Sequence, residues 1–384
     1  MPSLAHGDAI ALTRALVAID SRNPSLTPGA PGEGACARFL ATVLAEWGFR
    51  VEFQELGAGR ANVIARIGRA GGRALLVNGH LDTVGVEGMI HEPWNPVEHG
   101  GRLYGRGSAD MKSGVAAMCA AAWRAARDGL DGEVIVTAVA DEEYQSIGTR
   151  AVVDAGITAD AAIVTEPTCL GVCPAHKGFA WATVEVRGVA AHGSRFDVGV
   201  DAIALAALVV AEIEAYQQRE LTRRSHPLLG RPSLHASLIS GGTALSIYPD
   251  RCSIQFERRT IPGESASDFT RELSDAIARV RAARPDIEAS VVPGFAQDPN
   301  EVPADHQLVR AVSDALTRAG RQPVIAGLSC WTDAAILSSA GIPAICFGPG
   351  DIAVAHAREE FVPVAEIDTA TAVLGDVMRG WFAD

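Results

Sequence analysis

The chain has no excess of positive charge. Its 33 Lys and Arg face 46 Asp and Glu, for a formal net charge of −13. A nucleic-acid binder needs a basic face, so that class is excluded. The acidity itself asks for no role beyond solubility. There is no CxxC pair either. The seven cysteines are odd in number and sit mostly in apolar runs, such as the one around Cys346. They read as buried free thiols in a reducing compartment. No basic segment followed by an apolar stretch opens the sequence, so no signal peptide is expected. The longest apolar run, within 202–213, falls short of the roughly 20 residues a bilayer-spanning helix needs. Internal repeats and low-complexity segments are missing too. The expectation is a soluble, cytoplasmic protein with neither a nucleic-acid nor a membrane partner.

What is present is ample globular material. Hydrophobic residues make up 48% and charged residues 21% of 384, which predicts two or three domains at about 150 residues each. Apolar residues at helical spacing predict helices over 8–19 and 33–47, followed by strands over 50–54, 61–67 and 74–78. A long Ala-rich helix is expected over 112–127, a strand over 133–139, a helix over 147–155 and a strand over 161–165. Alternating elements with near-continuous apolar strands predict an α/β domain with a mainly parallel central sheet flanked by helices.

The middle of the chain has a different pattern. Residues 179–187 alternate apolar and polar, as a half-exposed strand does. The spacing then predicts a helix over 199–216, strands over 233–239 and 252–258, a helix over 266–282 and a strand over 287–292. That is the ferredoxin-like order, an inserted α+β domain with one open sheet face or edge. Beyond about 295 the α/β character returns. Helices are expected over 307–319, 334–339 and from 367, with strands at 323–325 and 344–347. The expected partition is a catalytic domain in two parts, 1–177 and 294–384, around an inserted domain over 178–293.

Chemistry-bearing residues fall at the ends of these elements. Asn78-Gly-His80-Leu-Asp82 closes an apolar strand, and ligands bind at the carboxyl ends of parallel strands. His80 offers an imidazole ligand, and Asp82 a carboxylate that fixes its tautomer. Gly105-Arg-Gly-Ser-Ala-Asp110-Met-Lys precedes the long helix; its spacing is neither a P-loop nor a dinucleotide fingerprint. Asp141-Glu142-Glu143 and Glu166-Pro167-Thr168 each follow a strand, and Ala355-His356-Ala-Arg-Glu359 follows a glycine-rich loop. Singly, these have plainer readings: a loop histidine, a helix-capping Asp110, a solvated acidic loop. Together, several acids and two histidines brought to one crevice repel one another unless cations neutralise them. A metal site accounts for the set better than chance. Mixed His and carboxylate donors suit zinc, cobalt or manganese, and the lack of Cys donors disfavours a structural zinc finger.

These motifs, with Ala190-Ala191-His192-Gly-Ser, Arg259-Thr-Ile-Pro262-Gly and Thr332-Asp333-Ala334, occur in an order that resembles one family over nearly the whole chain. It is the zinc-dependent amidohydrolase and exopeptidase family of acetylornithine deacetylase, succinyl-diaminopimelate desuccinylase, aminoacylase-1 and bacterial glutamate carboxypeptidase. The resemblance implies two zinc ions per subunit. His80 and Glu166 would hold one, Glu143 and His356 the other, and Asp110 would bridge them. It also implies a cis Asp110–Met111 peptide, Asp82 orienting His80, and Glu142 as general base and acid toward a metal-activated water. No nucleophilic Ser or Cys is then needed, and no Gly-x-Ser-x-Gly elbow occurs.

By the same resemblance the inserted domain is a dimerisation or lid domain. His192 would reach a partner subunit's site in a homodimer, and Arg259 would grip a substrate carboxylate. Ser246 and Thr332 would join them in binding substrate. The plainer readings are a surface-loop His192 and a strand-end ion pair for Arg259. Two departures stand out. The loop Gly241-Gly242-Thr-Ala-Leu-Ser246-Ile-Tyr248-Pro249 has only a short hydroxyl where several relatives carry Asn, and Glu257-Arg258-Arg259 replaces an Asp-x-Arg. The implied activity is deacylation of N-acyl amino acids. The rivals are a carboxypeptidase or dipeptidase acting on a short peptide and, from another class, a catalytically silent dimeric binding protein. The silent reading is disfavoured because all five ligands and Glu142 are present.

Overall fold

Four strands built mostly of Ala, Val, Ile and Leu must be covered on both sides, and they are buried. In the computed structural model, which describes residues 4–382, Glu133–Val139, Ala74–His80, Ala161–Val164 and Ala344–Cys346 lie side by side and parallel. Contacts group the chain into two units. One comprises residues up to Pro174, Val302–Ala326 and the chain from Thr332 onward; the other comprises Ala175–Glu301 and Gly327–Trp331.

In the first unit the parallel strands form the centre of the sheet, and the flanks are antiparallel. Arg60–Gly68 runs antiparallel to both Glu133–Val139 and Arg50–Gly57. On the other side, Cys173 pairs antiparallel with Cys346. The reason at the first flank is connection length. Only Ala58 and Gly59 join Arg50–Gly57 to Arg60–Gly68, and both have positive φ. A link that short closes a hairpin and cannot make a parallel crossover. The Ala-rich helix Ser113–Arg127 is buried along most of its length. Its small side chains pack against Val364–Trp381 through a core that includes Ala117, Ala121, Val373, Leu374 and Met378.

Some boundaries differ from expectation. The strand expected at 323–325 lies at Ile325–Leu328, because Pro323 has no N–H to give to a ladder. A small sheet of Val97–His99, Arg102–Tyr104 and Phe361–Pro363 carries no sequence signal, since three-residue strands are too short to alternate. Among the described residues no helix is long and apolar enough to cross a membrane.

The second unit has the ferredoxin-like order. Ser233–Gly241, Arg251–Thr260, Gly178–Arg187 and Glu288–Gln297 form one antiparallel sheet in that spatial order. Ala180, Ala182, Val184 and Val186 point into a core shared with Ala202–Arg219 and Ala266–Ala283. Phe179, Trp181, Thr183 and Glu185 occupy the opposite face. On Ala202–Arg219, Leu205, Val209 and Ile213 meet the sheet. Ile203 and Leu208 lie away from the sheet, exposed at 42% and 38%.

Two glycines let backbone meet backbone beneath the strand ends. A Cβ on Gly114, near the start of Ser113–Arg127, would lie 2.0 Å from the Thr165 carbonyl oxygen; one on Gly348 would lie 2.5 Å from the same atom. Helix propensity alone favours Ala over Gly by about 1 kcal/mol. Overpacking costs about 1–3 kcal/mol. Gly114→Ala is therefore expected to lower the thermal unfolding midpoint. A raised midpoint would mean that the close approach is not a constraint.

Candidate metal centre

Parallel strands bring their carboxyl ends to one edge, and the acidic motifs are found there. His80 is the last residue of Ala74–His80. Asp141-Glu142-Glu143 follows Glu133–Val139, and Glu166 lies two residues past Ala161–Val164. Asp110 sits in the turn Ser108–Lys112 just before the long helix, and its peptide to Met111 is cis. His356 stands in a loop with φ +60°.

The five expected ligands form two triads that share Asp110. They are His80, Asp110 and Glu166, and Asp110, Glu143 and His356; within each, one ligand atom per residue lies within 4.8 Å of the others. His80 Nε2 is 3.0 Å from Asp110 Oδ1, and His356 Nε2 is 3.3 Å from Asp110 Oδ2 and 3.0 Å from Glu143 Oε1. The set fits divalent cations on one further observation: Glu166 Oε1 is buried and has no hydrogen-bond partner. A buried carboxylate oxygen left bare is costly unless a cation meets it.

The electrostatics point the same way. Burial, then the nearby Glu166, pushes the Glu142 carboxyl well above its ordinary range. Burial and Asp110 do the same to Glu166 and raise Glu143. Asp110 goes the other way. Burial would raise it, but hydrogen bonds from His356 and His80 hold it below the usual carboxylate range. The imidazoles answer in kind. Burial opposes the charge on both, yet contact with Asp110 lifts His80 well above normal, and Asp110 and Glu143 lift His356 to about 10. The carboxylates thus favour the charged form of both imidazoles.

Asp82 is the hub behind the ligands. Its backbone carbonyl, rather than its carboxylate, accepts from His80 Nδ1 at 3.0 Å; the carboxylate oxygen is 3.6 Å away. That leaves His80 Nε2 turned to Asp110. The Asp82 carboxylate instead accepts the backbone N–H groups of Glu142 and Glu143 at 3.1 and 3.2 Å, and Asn23 Nδ2 at 2.9 Å. Asn23 also donates to Asp141, which pairs with buried Arg60, itself paired with Glu33. Glu360 does a similar job for the bridging residue. One oxygen accepts from the N–H groups of Ala109 and Asp110 at 3.0 and 3.1 Å, and the other from Arg106 at 2.6 Å. Four residues from His356, it ties the two ligand-bearing loops together.

The remaining candidates divide. Thr332 is buried, and its hydroxyl is engaged locally by the Ala334 N–H and Cys346 Sγ. Its neighbour Asp333 is buried closer to the chemistry. It accepts from Thr149 at 2.6 Å, one oxygen is unpartnered, and burial raises it to about 6. In the second unit, Arg259 is held at its Nε edge by Glu257 and stacks over the Phe179 ring, 5.5 Å from its centroid. His192 is exposed. Its Nδ1 accepts from the Ser194 N–H at 3.2 Å, so the neutral ring carries its proton on Nε2, facing out. Ser246 is exposed, and among the described residues its carbonyl accepts from the Gly193 N–H.

The family model for peptidase family M20/M25/M40 matches residues 76–380. The chain belongs to that family. It is a metal-dependent hydrolase of the deacylase and peptidase type. An acetylornithine deacetylase of Proteus mirabilis is 29% identical over 97% of this chain and 96% of its own length. Another, from Myxococcus xanthus, is 32% identical over 85% and 87%. The fold is shared with a tripeptidase from Staphylococcus aureus (TM-score 0.83, 18% identity, all of both chains). It is also shared with a dinuclear metal-binding peptidase of this family from Bacillus subtilis (TM-score 0.75, 17% identity, 98% of each chain).

Asn23, Arg60 and Glu360 had no motif to announce them; only the fold brings them to the ligands. Asp333 lay inside a quoted motif, where an acid beside a hydroxyl was the available signal.

Metal ligands must be deprotonated, so loading this M20 centre must expel the imidazole protons. With both histidines and the ligand carboxyls of Glu143 and Glu166 raised, metal-stripped protein is expected to release protons on loading at pH 7, from the rings and from these carboxyls. Because protons compete, apparent affinity falls as pH drops from 8 to 6. Calorimetry in buffers of different ionisation enthalpy measures both. Loading without proton release would contradict the assignment.

Proposed function

We propose that the protein is a two-zinc hydrolase that cleaves the amide of N-acyl amino acids, as an acetylornithine deacetylase-like deacylase. The observation that carries this reading is the pair of ligand triads sharing Asp110, with Glu142 beside them and belonging to neither. Zinc suits the two-histidine, three-carboxylate donor set; cobalt and manganese fit it too. Bound ions would supply Lewis acidity and a water of lowered pKa. Glu142 would take a proton from the attacking water on its carboxylate and return it to the leaving nitrogen. Its raised pKa suits a group that must hold the proton in between. Asp82 keeps Glu142 and Glu143 in register through their backbone N–H groups. Arg259 takes the substrate carboxylate, and His192 donates its Nε2–H to the scissile carbonyl. Ser246 remains a substrate-loop candidate, whereas the buried hydroxyl of Thr332 acts on substrate only through its neighbours.

The long coverage of acetylornithine deacetylases favours deacylation over the carboxypeptidase or dipeptidase reaction. The complete donor set favours an enzyme over a silent binding protein. We place it in the cytoplasm, by likeness to those relatives, and as a homodimer. The edge strand Ser233–Gly241 exposes Leu238 and Ile239, and the adjacent helix exposes Ile203 and Leu208. An open strand edge is a pairing template, and His192 then serves the partner subunit.

Glu142→Gln is expected to keep both metals and lose about 10²–10⁴-fold in kcat, the usual range for removing general acid–base help. Metal analysis and turnover on acetylated amino acids and dipeptides check it; near-normal kcat in metal-loaded protein would reject it. Mixing inactive Glu142→Gln with inactive His192→Ala subunits should restore part of the activity, because one site per hybrid is intact. Exchange without recovery would place His192 within its own chain's function or outside catalysis.

A further inference from the structure

Aromatic residues are only 5% of the chain, yet four rings meet at one place on the second unit. On the sheet face away from its helices, Phe179 lies 5.3 Å from Trp181, 5.8 Å from Phe295 and 6.5 Å from Trp331, centroid to centroid. Trp181 and Phe295 close the triangle at 6.0 Å. The strands explain the cluster. Phe179 and Trp181 are two residues apart on Gly178–Arg187 and share a face. A bulge between Pro293 and Ala296 brings Phe295 beside them. The rings are not core: Trp181 is 44% exposed. With Thr183, Ser237, Gln255 and Glu257, two of the rings, Trp181 and Phe295, border a cleft of about 390 Å³.

Arg259 stands directly across from Phe179, and Glu257 across from Trp181, in the strand register. Glu257 holds the Nε edge of Arg259 and the Phe179 ring underlies its plane, while neither Nη makes a hydrogen bond among the described residues. The fork is fixed in place with its donors free. Lys177 adds positive charge nearby; burial, Arg259 and Arg231 hold its ammonium below the ordinary range. The acid of the cluster is already spent on Arg259. A positive fork beside exposed rings complements a ligand with a carboxylate and a large apolar group. A second cation would be repelled.

We propose that this face is the side-chain subsite for the amino-acid half of the substrate, with Arg259 on the carboxylate and Trp181, Phe179 and Phe295 on a large apolar side chain, aromatic above all. The proposal rests on the deacylase reading and deepens it. The preferred substrates are N-acyl aromatic amino acids rather than N-acyl ornithine. The separation of guanidinium and ring, 5.5 Å at Phe179, is comparable to that of the α-carboxylate and ring within one aromatic amino acid. Stacking against rings gives both apolar burial and preferred geometry.

The test compares kcat/KM for N-acetyl-L-phenylalanine, N-acetyl-L-ornithine and N-acetylglycine in the metal-loaded wild type, Trp181→Ala and Phe295→Ala. Expected is a wild-type preference for the phenylalanine substrate over ornithine. In either variant the phenylalanine-to-glycine ratio falls about tenfold or more, mainly through KM. A wild-type preference for ornithine, or a ratio unmoved in both variants, overturns the subsite. An unmoved ratio in variants that have also lost self-association assigns the rings to a second copy of the chain. If no acyl amino acid is hydrolysed, the deacylase reading fails, and calorimetric binding of N-acetyl-L-phenylalanine still decides the subsite. Binding weakened tenfold by Trp181→Ala supports it, and equal affinity for N-acetylglycine overturns it.

Discussion

Repulsion among carboxylates is the constraint on which the first unit turns. Asp110, Glu142, Glu143 and Glu166 are drawn to one sheet edge, each raising the proton affinity of others. Nothing in an apolar α/β core favours that gathering. It persists because Asp110, Glu142 and Glu143 are each held by something other than their neighbours, while Glu166 keeps a bare oxygen. N–H groups reach Asp82 from behind Glu142 and Glu143, Glu360 grips the backbone at Asp110, and imidazoles face the shared carboxylate. The preference for cations is thus built into the backbone and does not hang on the ligand side chains alone.

Much of this was legible in the residues. Apolar strands ending in His80, Asp141 and Glu166 placed the ligands at one sheet edge, because parallel strands share a direction. The alternation from Phe179 to Arg187 and the strand–helix–strand–strand–helix–strand order gave the second unit's topology. Illegible were the contacts that periodicity does not encode. Asn23 meets Asp82, and Arg106 meets Glu360, across 59 and 254 residues of chain. Nor does the apolar helix Ala202–Arg219 declare which side its core takes when small Ala residues surround Ile203 and Leu208. The antiparallel flank was implicit in a two-residue connection.

The two units carry chemistry of different kinds. The first holds its charged groups in buried networks, where each donor has a fixed acceptor and displacement is costly. The second offers its polar and aromatic groups at the surface, on regular strands. Arg259 is fixed by one acid and one ring and yet remains available. A rigid catalytic acid cluster and a surface-built recognition face place different demands on the sequence. Within one family, the second can vary without disturbing the first.

The small sheet that joins Phe361–Pro363 to Arg102–Tyr104 bears on how the chain is made. His80, Asp110 and Glu166 all emerge from the ribosome before the second unit is made. His356, Glu360 and the central strand Ala344–Cys346 come only after it. Until then Ala161–Val164 has an open edge, Asp110 has no clamp on its backbone and the second triad lacks its imidazole. The nascent chain therefore holds one incomplete set of donors and an unsealed sheet, and both are completed by the same late stretch of polypeptide.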